Sequence, residues 1–311
     1  MKTKKLTFIL LVFLSISLSA QTDSLLNKAP KLYPAWTFLV PGATHFYNHR
    51  IGEGLFFSAT EISTITLGII YDKKLASGNS TPYYNYPLLI GSELYSIDKC
   101  DGFINLMEYT KFKHPDLKYD PVSFNDLLKT PFQPENVFTP ITGGLVALAI
   151  AELFLEGNKT SHSFKDINQM QFMNHYINRN PAMAFFGATS LLASYGAGIS
   201  EEYVFRNYLM PILDYKFGPK KGLIYSSLAF GAMHATNAFM SDNPDWKYTI
   251  LQVTEATIIG YVLGKDVQNR NYKIGPAVAA HMWYDFTLML GSFLINPENN
   301  FLGVRMKFTI Q

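Results

Sequence analysis

A single cysteine, Cys100, stands among the 311 residues. One cysteine excludes an intrachain disulfide framework and any metal site built on thiolates; it reads as a packing residue rather than a nucleophile. Charge is scarce as well. Only 16% of the chain is Asp, Glu, Lys or Arg, against roughly 25% in a typical soluble domain. The net charge of +2 is too small to suggest a nucleic-acid partner. No internal repeat is apparent, and no pair of broken helices supports a transporter that would use the polar residues as a proton path.

Apolar residues are plentiful, at 48% of the chain with 15% aromatic, and they gather in blocks. Candidate spans are 53–71, 137–155, 181–199, 222–240, 248–264 and 274–295, each close to the roughly 20 residues of helix that cross a bilayer. Short lysine clusters separate them: Lys73 and Lys74, Lys111 to Lys118, Lys220 and Lys221, Lys265 to Lys273. Such clusters mark cytoplasmic loops and membrane ends. Backbone polar groups in lipid must be satisfied within the segment, so the blocks are expected to be helices. The expected fold is therefore an all-α polytopic integral membrane protein with six to eight transmembrane helices in a bundle. Small residues such as Gly143, Gly144, Gly187, Gly196, Gly198 and Gly231 allow close helix packing.

The N-terminus has three lysines in Met1–Lys5, an apolar run from Leu6 to Leu18, and Ser19-Ala20-Gln21. This is the pattern of a secretory signal peptide over residues 1–20; the alternative is an uncleaved anchor helix. Residues 21–136 form an N-terminal membrane-associated region whose role the sequence does not reveal. Within it, Pro41-Gly42 followed by Tyr47 resembles the opening of a membrane hairpin in several small bacterial membrane domains. His45 and His49 are expected to be an interfacial polar pair. Residues 84–110 are helical in pattern but carry Glu93, Asp98, Lys99, Asp101 and Glu108, which predicts an amphipathic or partly inserted helix, because charges in lipid are costly. Residues 111–136 are polar and contain four prolines, which reads as a separator. Residues 297–311 form a C-terminal tail, and the alternation in Phe301–Gln311 predicts a short strand.

Ionisable residues inside membrane spans are functional candidates by default. Three clusters qualify: Glu201-Glu202-Tyr203-Val204-Phe205-Arg206, Phe230-Gly231-Ala232-Met233-His234, and His281-Met282-Trp283-Tyr284-Asp285. Residues four apart share a helix face. Glu202 is therefore expected to pair with Arg206 along one helix, and His281 and Asp285 to project together from another. A carboxylate in a low-dielectric site can serve as a general base near neutral pH. A histidine can hold the attacking water or move its proton, and a second polar pair can stabilise an oxyanion. No serine or cysteine adjoins a histidine in these motifs, so water is the expected nucleophile.

The three motifs resemble those of the CAAX protease and bacteriocin-processing (Abi) family of intramembrane endopeptidases. That family shows Glu-Glu-x-x-x-Arg, Phe-x-x-x-His and His-x-x-x-Asn/Asp on successive membrane helices. The resemblance covers about residues 137–296 and implies a CAAX protease-like peptidase domain there. It implies that Glu201 is the catalytic glutamate, that His234 positions the water, and that His281 and Asp285 form the oxyanion-side pair, with Glu202, Arg206 and Phe230 in support. In the eukaryotic CAAX enzymes the last position is Asn, a hydrogen-bond donor; Asp285 donates only when protonated, or else orients His281. The implied activity is hydrolysis of a peptide bond in a peptide or membrane-bound protein, in a bacterial inner membrane, with the lipid bilayer as surroundings and no cofactor. Two alternatives stay open. One is a zinc-dependent peptidase with Glu201, His234 and His281 as ligands, an acceptable donor set for zinc. The other is a non-catalytic membrane scaffold or immunity factor of the same fold.

Overall fold

A computed structural model of the chain describes residues 30–76, 85–156, 166–172, 175–236, 238, 245–295 and 306–308. The expected signal peptide lies outside the described residues. So does the loop that follows Lys73 and Lys74. The described residues are mostly helical. Two helical stretches are long and apolar enough to cross a membrane, Arg179–Phe217 and Gly275–Ile295; a shorter apolar helix covers Pro140–Leu155.

In chain order, α1 (Ala43–Tyr47) leads into α2 (Ile51–Ala76) and α3 (Tyr86–Lys113). Gly42 enters α1 with φ +69°, and a Cβ there would lie 2.3 Å from the Gly54 carbonyl oxygen, so both the backbone and the close approach require glycine. Asn85 caps α3 by accepting from the Leu88 amide at 3.2 Å, and Pro87 fits the first turn, where a missing N–H costs nothing.

The central charges of α3 do not lie on a wet face, as an amphipathic helix would have them, although Glu108 is exposed. Asp98, Lys99 and Asp101 are buried. Asp98 accepts from the Gly42 amide at 2.9 Å and from Lys99 Nζ at 2.5 Å. Lys99 Nζ also donates to the Val40 carbonyl at 2.9 Å. Asp101 pairs with Arg50. His45 is likewise fully buried, not interfacial. Its Nε2 lies 3.1 Å from Asp98 Oδ1 and its Nδ1 3.3 Å from Glu53 Oε2, and its ring stacks on Phe57 at 4.9 Å. Buried charges persist only when paired or hydrogen-bonded, and here each charged group supplies another's partner across α1, α2 and α3.

The polar stretch after α3 is structured. It holds α4 (Phe124–Lys129), a 3-10 turn (Thr130–Phe132) and α5 (Pro134–Val137). It also docks on the later helices: Trp283 Nε1 donates to the Pro131 carbonyl at 3.1 Å, Tyr195 Oη to the Leu128 carbonyl at 2.8 Å, and the Ile274 amide to Asp120 at 3.0 Å. Its prolines break the chain into short turns and so read as a spacer, but the carbonyls they free serve as acceptors.

The remaining helices are α6 (Pro140–Glu156), α7 (Arg179–Glu202), α8 (Met210–Phe217), α9 (Pro219–His234), α10 (Trp246–Asn269) and α11 (Gly275–Ile295). α7 packs on α3 and α11, α6 on α11, and α9 on α10. The stretch 201–215 continues α7 rather than forming a separate helix. A π-helical turn over Tyr203–Leu209 joins α7 to α8. Pro211 gives the reason: it has no N–H for the Asn207 carbonyl and its ring crowds that carbonyl, and a wide turn relieves both. Such turns are frequent at functional sites.

Alongside the helices lies a small antiparallel sheet, ordered β2-β1-β3, from β1 (Ile167–Phe172), β2 (His175–Asn178) and β3 (Met306–Phe308). β3 is the strand expected in the tail. The hairpin of β1 and β2 corrects the all-α expectation. Its register pairs Met170 with Ile177, and β3 sets Met306 against Met170, with Ile167 and Met170 packed among Tyr86, Phe186 and Phe293.

Candidate active site

The structure brings the ionisable groups of α7, its π turn, α9 and α11 to one place. Glu202, the last residue of α7, is fully buried. Its Oε2 lies 3.1 Å from Arg206 Nε, the pair expected at spacing four. Its Oε1 does something the sequence did not suggest, meeting His281 Nδ1 of α11 at 2.7 Å. Glu202 therefore links two of the three motifs, rather than serving Arg206 alone.

Glu201 points elsewhere, as neighbours about 100° apart on a helix must. Its carboxyl is partly open, at 25% side-chain exposure, and its Oε2 lies 3.9 Å from His281 Nε2. That separation leaves a direct hydrogen bond unmade, so the Glu201 carboxylate has no bonded partner at Oε2. On the other side of the same ring nitrogen, Asp285 Oδ2 stands 3.3 Å from His281 Nε2, one helical turn on. His281 thus has a carboxylate at each nitrogen and, when both nitrogens carry hydrogen, donates to both.

His234 ends α9. Its Nδ1 is 3.0 Å from the Phe230 carbonyl oxygen; with a hydrogen on Nδ1, the ring donates there and leaves Nε2 as an acceptor. His234 lies near enough to Glu201 for the two to interact electrostatically. Phe230 holds the group together from below. Its ring carries the Arg206 guanidinium at 4.0 Å and meets the rings of His234 and His281 edge to face, with centroids at 4.9 and 5.9 Å. A cation over an aromatic face in a water-excluded site gains more than at an exposed one. Gly260 of α10 makes room for Arg206, since a Cβ there would fall 3.1 Å from Nη2.

Glu201, Glu202, Arg206, Phe230, His234, His281 and Asp285 are therefore together. A residue near the site lies outside the three motifs: Glu93 of α3, on whose carboxyl the charges of Glu201 and Asp285 act. Its position in a polar-dotted helix of the N-terminal region gave no sequence signal beyond being a charge in a helical run.

The donor geometry fits zinc poorly. Both nitrogens of His281 are taken up by carboxylates, and among the described residues no group of three or more His, Cys, Asp or Glu side chains converges so as to hold a metal ion.

Asp285 gives a direct test of how His281 is held. If its carboxylate orients the ring, Asp285→Asn, whose amide oxygen still accepts from Nε2–H, keeps substantial activity, and Asp285→Leu loses most of it. Cleavage rates per folded molecule check this; equal rates in wild type and both variants would remove Asp285 from the site.

Residues 183–287, which contain all three motifs, match the family model described as Type II CAAX prenyl endopeptidase Rce1-like. This stretch is similar to that family, in agreement with the resemblance read from the motifs. Comparison with curated proteins and with solved structures gave no match.

Proposed function

We propose that the protein is a multi-pass intramembrane endopeptidase of the glutamate type, in a bacterial inner membrane, cutting a peptide or membrane-bound protein with an activated water. The observation that carries this reading is the separation of roles between adjacent glutamates: Glu202 is committed to Arg206 and His281, while Glu201 presents a carboxylate beside His281 and His234.

Water, held by an acceptor at His234 Nε2, passes a proton to the Glu201 carboxylate. Its oxygen attacks the scissile carbonyl carbon, and the carbonyl electron pair moves to oxygen. The oxyanion develops on the side of His281, whose ring, when both nitrogens carry hydrogen, sets a positive charge there. The C–N bond then breaks, and Glu201 returns the proton to the leaving nitrogen. No metal enters the step. Residues 137–296 are proposed as the peptidase domain. Residues 21–136 supply α1 to α3, which pack beside it.

Large apolar side chains on the outer faces of α2, α6 and α10, among them Leu55, Ile62, Phe154, Leu155, Ile250 and Ile258, support further membrane-embedded helices, since such continuous exposed apolar surface is rare in soluble monomers. The topology that follows has the mature N-terminus outside and Lys73-Lys74 inside. In a Cys100→Ser background, Leu25→Cys should react with an impermeant maleimide in intact cells and Ala76→Cys should not; external labelling at 76 would reverse the orientation.

The function is tested by N-terminal proteomics of membranes carrying wild type or Glu201→Gln. New N-termini present only with wild type are the expected result and identify the substrate. Identical N-termini in both would favour the non-catalytic scaffold.

A further inference from the structure

Glu93 of α3 lies outside residues 183–287, on a helix that packs against α7. Its side chain lies directly on Gly196. A Cβ at Gly196 would fall 2.3 Å from Glu93 Oε2 and 2.9 Å from Glu93 Cβ. The absence of a side chain at 196 is thus what admits this carboxyl to α7, five residues before Glu201. There the charged groups that act on it are Glu201, from α7, and Asp285, from α11. Both are carboxylates. Further along α3, the α2 residue Glu61 acts on Asp98 and Tyr95 instead.

The charges do not balance if every carboxyl is ionised. Glu93, Glu201, Glu202 and Asp285 would bring four negative charges. Against them stand Arg206, bonded to Glu202, and His281, held by Glu202 and Asp285. His234 is turned to the Phe230 carbonyl. Carboxylates that share a low-dielectric site do not all ionise: one keeps its proton. Glu201 has His281 and His234 to favour its charge, against burial and the carboxylates of Asp285 and Glu202, which oppose it. Among the described residues, the charged groups that act on Glu93 are the carboxylates Glu201 and Asp285.

We infer that Glu93 is a positioning residue of the active site: its carboxyl holds a proton in the working enzyme, which leaves Glu201 ionised as the base. The inference rests on the peptidase reading for its kinetic consequence but not for its chemistry. When Glu93 loses its proton at raised pH, a second negative charge stands beside the water as it becomes hydroxide and beside the oxyanion, and turnover falls. Glu93 therefore sets the alkaline limb of the pH profile. Because Glu201 and Glu93 are coupled, the limb belongs to the pair.

Glu93→Gln mimics the protonated carboxyl at every pH. The expected profile of kcat/KM for this variant matches wild type on the acid side, within about threefold, and lacks the wild-type alkaline limb. One pH unit beyond that limb the variant should be about tenfold more active than wild type, because the protonated fraction of a single group falls tenfold per unit. A merely structural glutamate would lower activity without moving the limb, and superimposable profiles would overturn the inference. A second measurement needs no turnover. Infrared spectra of wild type and of Glu201→Gln should show the C=O stretch of a protonated carboxyl that Glu93→Gln lacks and that disappears on alkaline titration. Should Glu93→Gln fail to fold, Glu93→Asp, which keeps the carboxyl, should shift that band. If wild type shows the band but cleaves nothing, the peptidase reading fails and the proton assignment stands; an absent band, or one that neither variant alters, overturns the assignment.

Discussion

Glu202→Ala is expected to cost about 3–5 kcal/mol of stability and most of the activity that survives per folded molecule. The size follows from what the substitution leaves behind. Arg206 is 2% exposed and Glu202 fully buried. Removing one partner of a buried pair strands the other charge in low dielectric. The same cut releases His281 Nδ1 from its 2.7 Å acceptor, so the ring loses the contact that fixes its orientation from α7. Glu202→Gln should be milder, because its amide oxygen can still accept from Nδ1–H while the charge opposite Arg206 is lost. Stability falls and part of the activity remains. Thermal unfolding in detergent checks both, alongside cleavage normalised to the folded peak in size-exclusion chromatography. An unchanged melting temperature for Glu202→Ala would mean that the link between α7 and α11 contributes nothing.

The second large effect is on rate rather than fold. Glu201→Gln keeps the shape of a half-open side chain and breaks no close hydrogen bond, since Oε2 lies 3.9 Å from His281 Nε2. What it removes is the ability to take a proton from water. General-base catalysis contributes on the order of 10²–10⁴-fold, so turnover should fall by that factor while the protein inserts and unfolds as wild type does. The contrast with Glu202 is the informative part. One glutamate should fail in chemistry with the fold intact, the other in fold and chemistry together.

Much of this site was legible before any coordinates. Ionisable residues in apolar runs are conspicuous, and spacing of four settled the Glu202–Arg206 and His281–Asp285 pairs because both partners ride one helix. What spacing along one helix does not give is which side chains meet across two. The second bond of Glu202, to His281, depends on how the π turn and Gly198 seat α7 against α11; a Cβ at Gly198 would lie 2.9 Å from Met282 Cβ. The π turn had a signal that went unused, Pro211 four residues after Asn207. The buried charges of α3 and His45 escaped for one shared reason. A charge on a helix reads as a wet face when its partner comes from a distant segment: Asp98 and Lys99 of α3 meet α1 and the turn before it, and His45 of α1 meets Glu53 of α2 and Asp98 of α3. The β1–β2 hairpin was hidden because four to six residues of weak alternation do not stand out between long apolar blocks. The lysine clusters, by contrast, mark helix ends as expected, with Lys111 and Lys113 in the last turn of α3.

The central claim is that Glu201 is the base of a hydrolytic site. The most direct measurement is cleavage of a membrane-protein substrate identified by the N-terminal comparison, by purified protein reconstituted in liposomes. Wild type, Glu201→Gln and Glu202→Gln are compared at equal amounts of folded enzyme. The account predicts cleavage by wild type, loss of about 10²–10⁴-fold in Glu201→Gln, and partial retention in Glu202→Gln. Wild-type rates in Glu201→Gln would contradict it, and loss confined to Glu202→Gln would hand the role of base to the buried glutamate.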